Sequence, residues 1–222
     1  MTRVVSIRGD GATAAREALG ATVSTGGGAV FPADGLYGLA CDPLRADEIA
    51  RAHALKGRDD GKPSAVLFFS PLILRELISS FGDPTRAALG ALLPGPVTLV
   101  AHNPERRYPL ACRDDPERLG IRLIESPLTG VATPIFQTSA NPAGEPAPSR
   151  FEDVPADIVE GADLAIDGGE LTGQPSTVVD VTALEHGGAW KILRQGGMPA
   201  AEVERRLEGQ SPRTGSDPTR GV

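Results

Sequence analysis

The chain has 222 residues, a formal net charge of −7, 40% apolar residues and 23% charged residues. This length suits one medium α/β domain, and no apolar run approaches the roughly 20 residues that a membrane-spanning helix needs. The two cysteines exclude a disulfide scaffold and a cysteine-built zinc site, and they favour a reducing compartment. The acidic charge and the 4% aromatic content argue against sequence-blind nucleic-acid binding. We therefore expect a soluble cytoplasmic domain that does not bind membranes.

Short strands and helices are mixed along the chain, which predicts an α/β domain built on a mixed sheet. The 27 glycines and 20 prolines are too many for a helical bundle. Between the second strand and the second helix, the segment Pro32–Leu39 is predicted to be a dense loop. The predicted strands are Val4–Ile7, Ala29–Phe31, Ser64–Phe69, Val97–Val100, Leu119–Ile124, Ile135–Thr138, Ala165–Asp167, Val178–Val181 and Trp190–Leu193, and the predicted helices are Ala12–Leu19, Asp47–Lys56, Leu72–Ile78, Thr85–Leu92 and Ala200–Leu207.

The composition changes at the C-terminal end of the chain. Residues 209–222 are mostly Gly, Pro, Ser, Thr and Arg, with almost no apolar side chain to bury. A segment of this composition cannot offset the entropy cost of ordering, so we predict a disordered tail. We found no internal repeat and no second boundary, which leaves residues 1–208 as a single domain.

Four polar clusters lie at the edges of predicted strands, where open α/β sheets place their ligands. They are Pro32–Leu39, Lys56–Arg58, Thr138–Asn141 and Ser176–Thr177, the last with Arg194 a little later in the chain.

Each cluster by itself has a structural explanation as well as a functional one. Lys56 and Arg58 either complement the dipole at a helix C-terminus or clamp a phosphate. The segment Ser139–Asn141 either forms a turn or donates hydrogen bonds to a nucleotide. Arg194 is either a surface arginine or an anion ligand beside two glycines. Arg122 either faces solvent or points into a cleft.

Seven sequence pieces between Gly28 and Gly197 are more specific together than any single cluster. They are Phe31–Leu39, Lys56–Arg58 with Lys62-Pro63, Leu93–Thr98, Gly120–Arg122, Thr138–Asn141 with Gly144, Ser176–Asp180 and Ile192–Gly196. In their order and spacing these pieces resemble the YrdC/Sua5 family of threonylcarbamoyl-AMP synthases.

The resemblance implies a twisted mixed sheet with helices and a wide, positive, concave cleft. It implies that ATP, bicarbonate and L-threonine are converted into threonylcarbamoyl-adenylate and pyrophosphate. It also implies that a tRNA threonylcarbamoyl transferase complex uses this product for the N6-threonylcarbamoyladenosine modification of tRNA. The chain ends soon after Arg194 and so resembles the short form of the family, which lacks an extra C-terminal domain.

The family's functional residues can be transferred to matching positions of this chain. The resemblance implies that cations align and neutralise the reacting groups, with Mg²⁺ held mainly by the triphosphate and no metal site in the protein. The implied catalytic residues are Lys56, Arg58 and Arg194. The implied ATP-binding residues are Arg58, Lys62, Thr98, Ser139, Asn141, Ser176 and Arg194. The implied threonine- or carbamate-binding residues are Gly35, Tyr37, Lys56, Leu67, Arg122 and Ser176.

The sequence departs from the family pattern on the side that would hold the amino acid. Ala33 and Gly35 replace two threonines, Leu67 stands where the family often has a histidine, and Ala147 replaces a serine, with Ser149 close by. A pocket that bonds a hydroxyl selects strongly for it, so these losses should weaken threonine selection more than ATP binding.

Two other functions remain open from the sequence. A paralogous enzyme would make a different carbamoyl-adenylate from the same nucleotide. A nucleotide- or double-stranded RNA-binding module would have no synthase activity, and direct RNA contact is expected only if a local basic groove offsets the acidic chain.

Overall fold

The computed structural model describes residues 1–57 and 63–208. The predicted tail at residues 209–222 therefore lies outside the described residues, as do Arg58 and Lys62. The strands are β1 (Arg3–Ser6), β2 (Ala29–Pro32), β3 (Tyr37–Cys41), β4 (Ala65–Phe68), β5 (Val97–His102), β6 (Arg118–Leu123), β7 (Ile135–Ser139), β8 (Leu164–Asp167), β9 (Thr177–Asp180) and β10 (Lys191–Arg194). The α-helices are α1 (Ala12–Ser24), α2 (Ala46–Leu55), α3 (Pro71–Ile78), α4 (Asp83–Leu92), α5 (Pro109–Cys112), α6 (Ala156–Glu160) and α7 (Ala200–Leu207).

All ten strands belong to one mixed sheet, which confirms the predicted α/β class. Their order across the sheet is β1-β8-β2-β3-β7-β4-β6-β5-β9-β10. Strands β1 and β2 both pair with β8 in parallel, and β4–β6 and β5–β9 are also parallel pairs. The remaining pairs are antiparallel. Within the described ranges, no helix is long and apolar enough to cross a membrane.

The two faces of the sheet are covered differently, and this difference positions the candidate site. On one face, Leu119, Ile121 and Leu123 of β6 join a core cluster with buried residues of α2, α3, α4 and α7. On the other face, α1 packs against β1, β2 and β8. The middle strands are left open on that face, where Gly120 and Arg122 line a cavity. Because side chains alternate along β6, its odd-numbered residues from Leu119 to Leu123 face the core, and Gly120 and Arg122 face the cavity.

The prediction that Pro32–Leu39 forms a loop was wrong for the second half of this segment. Tyr37–Cys41 forms β3, which pairs with β2 on one side and β7 on the other. All five residues of this strand are buried, so its apolar sequence lacks the alternation that signals a half-exposed strand. Gly38 permits the close pairing, because a Cβ there would lie 2.9 Å from the Thr138 carbonyl oxygen.

Helix boundaries also differ from the sequence-based expectations. Helix α1 continues past Leu19 to Ser24, because Val23 extends its buried face. Helices α5 and α6 were not predicted, since they span only four and five residues. Helix α7 occupies the predicted range Ala200–Leu207.

Candidate active-site cavity

A cavity of about 560 Å³ lies on the open face of the sheet. Its floor is formed by residues of β4, β5, β6, β7 and β9, which alternate along β5 and β6, and its rim comes from the loop after β2 and the segment before β9. Polar and apolar side chains are mixed in it. Its lining includes Ala33, Asp34, Thr98, Asp115, Arg118, Arg122, Gln137, Ser139, Gln174, Pro175, Ser176 and Arg194.

Arg122 is buried on the floor of the cavity and held by two polar neighbours. Its Nη2 donates to both carboxylate oxygens of Asp34 at 2.6 Å, and its Nη1 donates to Gln137 Oε1 at 2.9 Å. Its buried Nε has no hydrogen-bond partner among the described residues. A guanidinium fixed in this way is a pre-oriented cation at the base of the cavity.

A second polar group stands where β9 meets the end of β10. Arg194 Nη2 donates to the Ser176 carbonyl oxygen at 2.9 Å and to Ser176 Oγ at 3.2 Å. The hydroxyls of Ser176 and Thr98 lie 2.8 Å apart. Partial desolvation lowers the pKa of the Arg194 guanidinium, although the residue is exposed as a whole, and the positive charge of Arg122 lowers it further. A bound anion would offset this unfavourable interaction at Arg194.

Lys56 lies beside this cavity rather than in its lining. The residue is 3% exposed, and its Nζ donates to the carbonyl oxygens of Ser139 and Asn141, the latter at 2.7 Å. The Asn141 side-chain amide in turn donates to the Pro142 and Glu145 carbonyl oxygens. Lys56 and Asn141 therefore hold the loop after β7, and Ser139 is the member of this group that reaches the cavity.

Tyr37 combines a place in the core with a place in the cavity wall. Its hydroxyl donates to the Gly169 carbonyl oxygen at 2.8 Å and accepts from the Gly168 N–H at 2.9 Å. Burial raises the pKa of this phenol to about 12. The hydroxyl thus stays protonated at neutral pH and fixes the segment after β8.

The positions that depart from the family pattern have three different surroundings. Ala33 lines the cavity, whereas Leu67 is fully buried in the core cluster under α1 and is absent from the lining. The expected contact of Leu67 with a substrate is therefore not supported by its position. Gly35 packs directly against the Gln174 backbone, and a Cβ at Gly35 would clash with the Gln174 carbonyl oxygen.

No group of three or more acidic, histidine or cysteine side chains that could hold a metal ion occurs in the described ranges. The cavity carries Arg118, Arg122 and Arg194 together with Asp34 and Asp115, so its charges are mixed. The described residues do not themselves show the wide positive cleft that the resemblance implied.

The sequence reasoning missed several lining residues. Arg118 could have been found, because it lies four residues before Arg122 in an alternating strand and therefore shares its face. Asp34 lies within the piece Phe31–Leu39, where nothing local indicates its role, and the structure shows it as the ion-pair partner of Arg122. Gln137 and Gln174 had no sequence signal, since only the tertiary structure brings them to the cavity.

A family model described as Sua5_yciO_yrdC, telomere recombination, matches residues 21–196 of the chain. A threonylcarbamoyl-AMP synthase of Pseudomonas aeruginosa strain UCBPP-PA14 is 32% identical over 169 residues, which cover 72% of this chain and 88% of that protein. A threonylcarbamoyl-AMP synthase of Thiobacillus denitrificans is 29% identical over 191 residues, which cover 81% of this chain and 95% of that one.

Solved structures agree with the fold. The crystal structure of P. abyssi Sua5 complexed with L-threonine matches 95% of this chain with a TM-score of 0.79 and 26% identity. This chain spans 62% of the length of that Sua5 chain. E. coli YciO matches 91% of this chain and all of its own length with a TM-score of 0.75, and at 21% identity it supports the fold alone. By its sequence pieces, its fold and these matches, the chain belongs to the Sua5/YciO/YrdC family.

Proposed function

We propose that the chain is an L-threonylcarbamoyladenylate synthase, an enzyme of the nucleotidyltransferase class that serves tRNA modification. The observation that carries the proposal is the placement of Arg122 and Arg194 in one cavity with the Thr98 and Ser176 hydroxyls. One buried and one more exposed cation, Arg122 and Arg194, together with neutral donors suit a substrate made of a triphosphate and a carbamate. Relatives that share 32% identity carry the name threonylcarbamoyl-AMP synthase.

The proposed chemistry needs little from a general base. The amino group of L-threonine and bicarbonate form a carbamate with loss of water. A carbamate oxygen then bonds to the α-phosphorus of ATP while the bond to the bridging oxygen breaks, and pyrophosphate leaves with that electron pair. Because the carbamate is already an anion, the protein's task is to align two negative reactants and offset their charge.

The described residues can divide this task between them. Arg194 and the Ser176 hydroxyl are placed to hold phosphate oxygens, with Thr98 orienting Ser176. Arg122 is placed to hold the carbamate or carboxylate oxygens, with Asp34 fixing its orientation. Ser139 presents its hydroxyl to the cavity and is positioned through Lys56.

The remaining roles rest on the resemblance alone. Arg58 and Lys62 lie outside the described residues, and their proposed contacts with ATP stay predictions. Binding of Mg²⁺ together with the triphosphate also rests on the resemblance and stays a prediction. Transfer of the product to a tRNA threonylcarbamoyl transferase complex, direct RNA contact and a cytoplasmic location likewise stay predictions.

A paralogue with a different amino-acid acceptor is the second candidate, and one observation favours it. The backbone of Gln174 fills the space beside Gly35, so a threonine side chain at that position is sterically excluded. The wall of the cavity near Gly35 therefore differs from the pattern that the resemblance implied.

One assay separates the two candidates. Pyrophosphate release is measured with ATP, Mg²⁺ and bicarbonate, and with L-threonine, L-serine or no amino acid. Release that requires L-threonine and bicarbonate supports the synthase. Release that L-serine supports equally well, or no release despite ATP binding in calorimetry, contradicts it and favours a different acceptor.

A further inference from the structure

The segment Thr172–Pro175, which we call the strap, crosses the rim of the cavity in close contact with Gly35. A Cβ at Gly35 would clash with the Gln174 carbonyl oxygen and would lie 2.9 Å from the Thr172 hydroxyl oxygen. The Gly173 N–H donates to the Gly35 carbonyl oxygen at 2.9 Å. The strap therefore occupies the space that any other residue at position 35 would fill.

The other end of the strap is held in the same manner. The Gly197 N–H donates to the Pro175 carbonyl oxygen at 2.8 Å. A Cβ at Gly196 would clash with that same carbonyl oxygen, so only glycine permits this approach. Backbone contacts at both ends thus fix the path of the strap across the rim, although its four residues are exposed on their outer side.

This path brings Gln174 to the wall of the cavity. The Gln174 side-chain amide makes no hydrogen bond to any residue that the structure describes, in contrast to Gln137 on the floor, which accepts from Arg122. An amide offers both a donor and an acceptor, and a hydroxyl can use either. Gln174 is therefore an available polar group that a ligand in the cavity can engage.

The strap runs between the surroundings of the two arginines, because Gly35 directly follows the Asp34 that binds Arg122, and Ser176, which binds Arg194, directly follows Pro175. If Arg122 and Arg194 hold the anionic oxygens of a substrate, the side chain of that substrate lies within reach of the strap. We propose that Gln174 is a specificity-determining residue that hydrogen-bonds the side-chain hydroxyl of the amino-acid substrate. This inference rests on the proposed synthase function and supplies the polar contact that Ala33 and Gly35 cannot make.

The test compares L-threonine with L-valine, which has the same shape but no hydroxyl. Pyrophosphate release gives kcat/KM for each amino acid in the unaltered chain, in Gln174→Leu and in the control Glu170→Leu. Glu170 is an exposed residue close to the strap that does not line the cavity. Calorimetric titration of L-threonine and thermal unfolding show whether each variant still binds and folds.

We expect Gln174→Leu to reduce the preference for L-threonine over L-valine by about tenfold, the effect of one hydrogen bond. Its KM for ATP and its unfolding temperature should match those of Glu170→Leu. An unchanged preference in a folded, active Gln174→Leu overturns the inference and leaves the synthase proposal intact. An unaltered chain that releases no pyrophosphate with any amino acid overturns both.

Discussion

Two parts of the cavity wall are built in different ways. The anion region, formed by Arg122, Arg194, Ser176 and Thr98, depends on side-chain hydrogen bonds. Ser176 bonds Arg194 and Thr98, and Arg122 bonds Asp34 and Gln137. The strap region depends on absent side chains, because Gly35 and Gly196 allow backbone atoms to pack where a Cβ would stand. Substitutions should therefore act differently on the two regions. In the anion region they remove hydrogen-bond donors, and in the strap region they add atoms to space that the backbone already occupies.

The largest expected effect comes from removing a cation from the anion region. We expect Arg194→Met to lower kcat/KM for pyrophosphate release by about 10²–10³-fold, because a preorganised donor to the developing charge is lost. Steady-state kinetics with ATP and L-threonine measure this effect. The control is Arg205→Met on α7, whose guanidinium is exposed and pairs with Glu202. A fall of less than tenfold would place Arg194 outside the chemistry.

The loop after β7, which brings Ser139 to the cavity, should be sensitive to the buried ammonium of Lys56. Lys56→Met leaves the Ser139 and Asn141 carbonyl oxygens without their donor, which we expect to cost about 1–3 kcal/mol of unfolding free energy. Urea unfolding measures this loss, and the KM for ATP should rise with it. Lys191→Met is the control, because Lys191 is exposed and its Nζ lies 3.6 Å from Asp180, which keeps its closer partners Arg118 and Thr182. Equal stability of the two variants would contradict the supporting role.

The strap region is probed by adding a side chain rather than removing one. Gly35→Thr must displace the Gln174 carbonyl oxygen, and overpacking of this kind costs about 1–3 kcal/mol. We expect weaker L-threonine binding in calorimetry with a smaller change in ATP binding. The control is Gly90→Ala in α4, where a Cβ meets no atom within 4 Å and should leave the chain equally or more stable. Tighter L-threonine binding by Gly35→Thr would show that the strap moves without cost.

The smallest expected effect is a pH dependence at Tyr37, whose pKa burial raises to about 12. A phenol with a folded pKa above its unfolded value of about 10 stabilises the fold below pH 10 and loses that stabilisation as pH rises toward 12. Tyr37→Phe also loses the bonds to Gly168 and Gly169, at about 0.5–1.5 kcal/mol. Urea unfolding of both proteins at several pH values should show their difference constant below pH 10 and smaller above it. If the stability difference between the two proteins grew above pH 10, the upward shift assigned to the Tyr37 pKa would be wrong.

Much of the fold followed from local pattern. The apolar runs and breaks placed nine of the strands to within one or two residues at most boundaries, because strand and helix periodicities are properties of neighbouring residues. Strand β3 was not predicted, because its five buried residues show no alternation. Its extended conformation depends on pairing with β2 on one side and β7 on the other. The short helices α5 and α6 were not predicted, because four or five residues are too few to show a helical period.

For the site, the sequence alone identifies the polar residues at strand ends and, through the seven pieces, the family that the chain resembles. The alternation around Arg122 is local as well, but it leaves open whether Arg122 faces solvent or a cleft. Tertiary structure decided that Leu67 is covered, that Lys56 supports a loop and that Gln174 fills the space beside Gly35. These outcomes depend on contacts between segments more than 70 residues apart, or on which strand face α1 covers, and no local pattern encodes either.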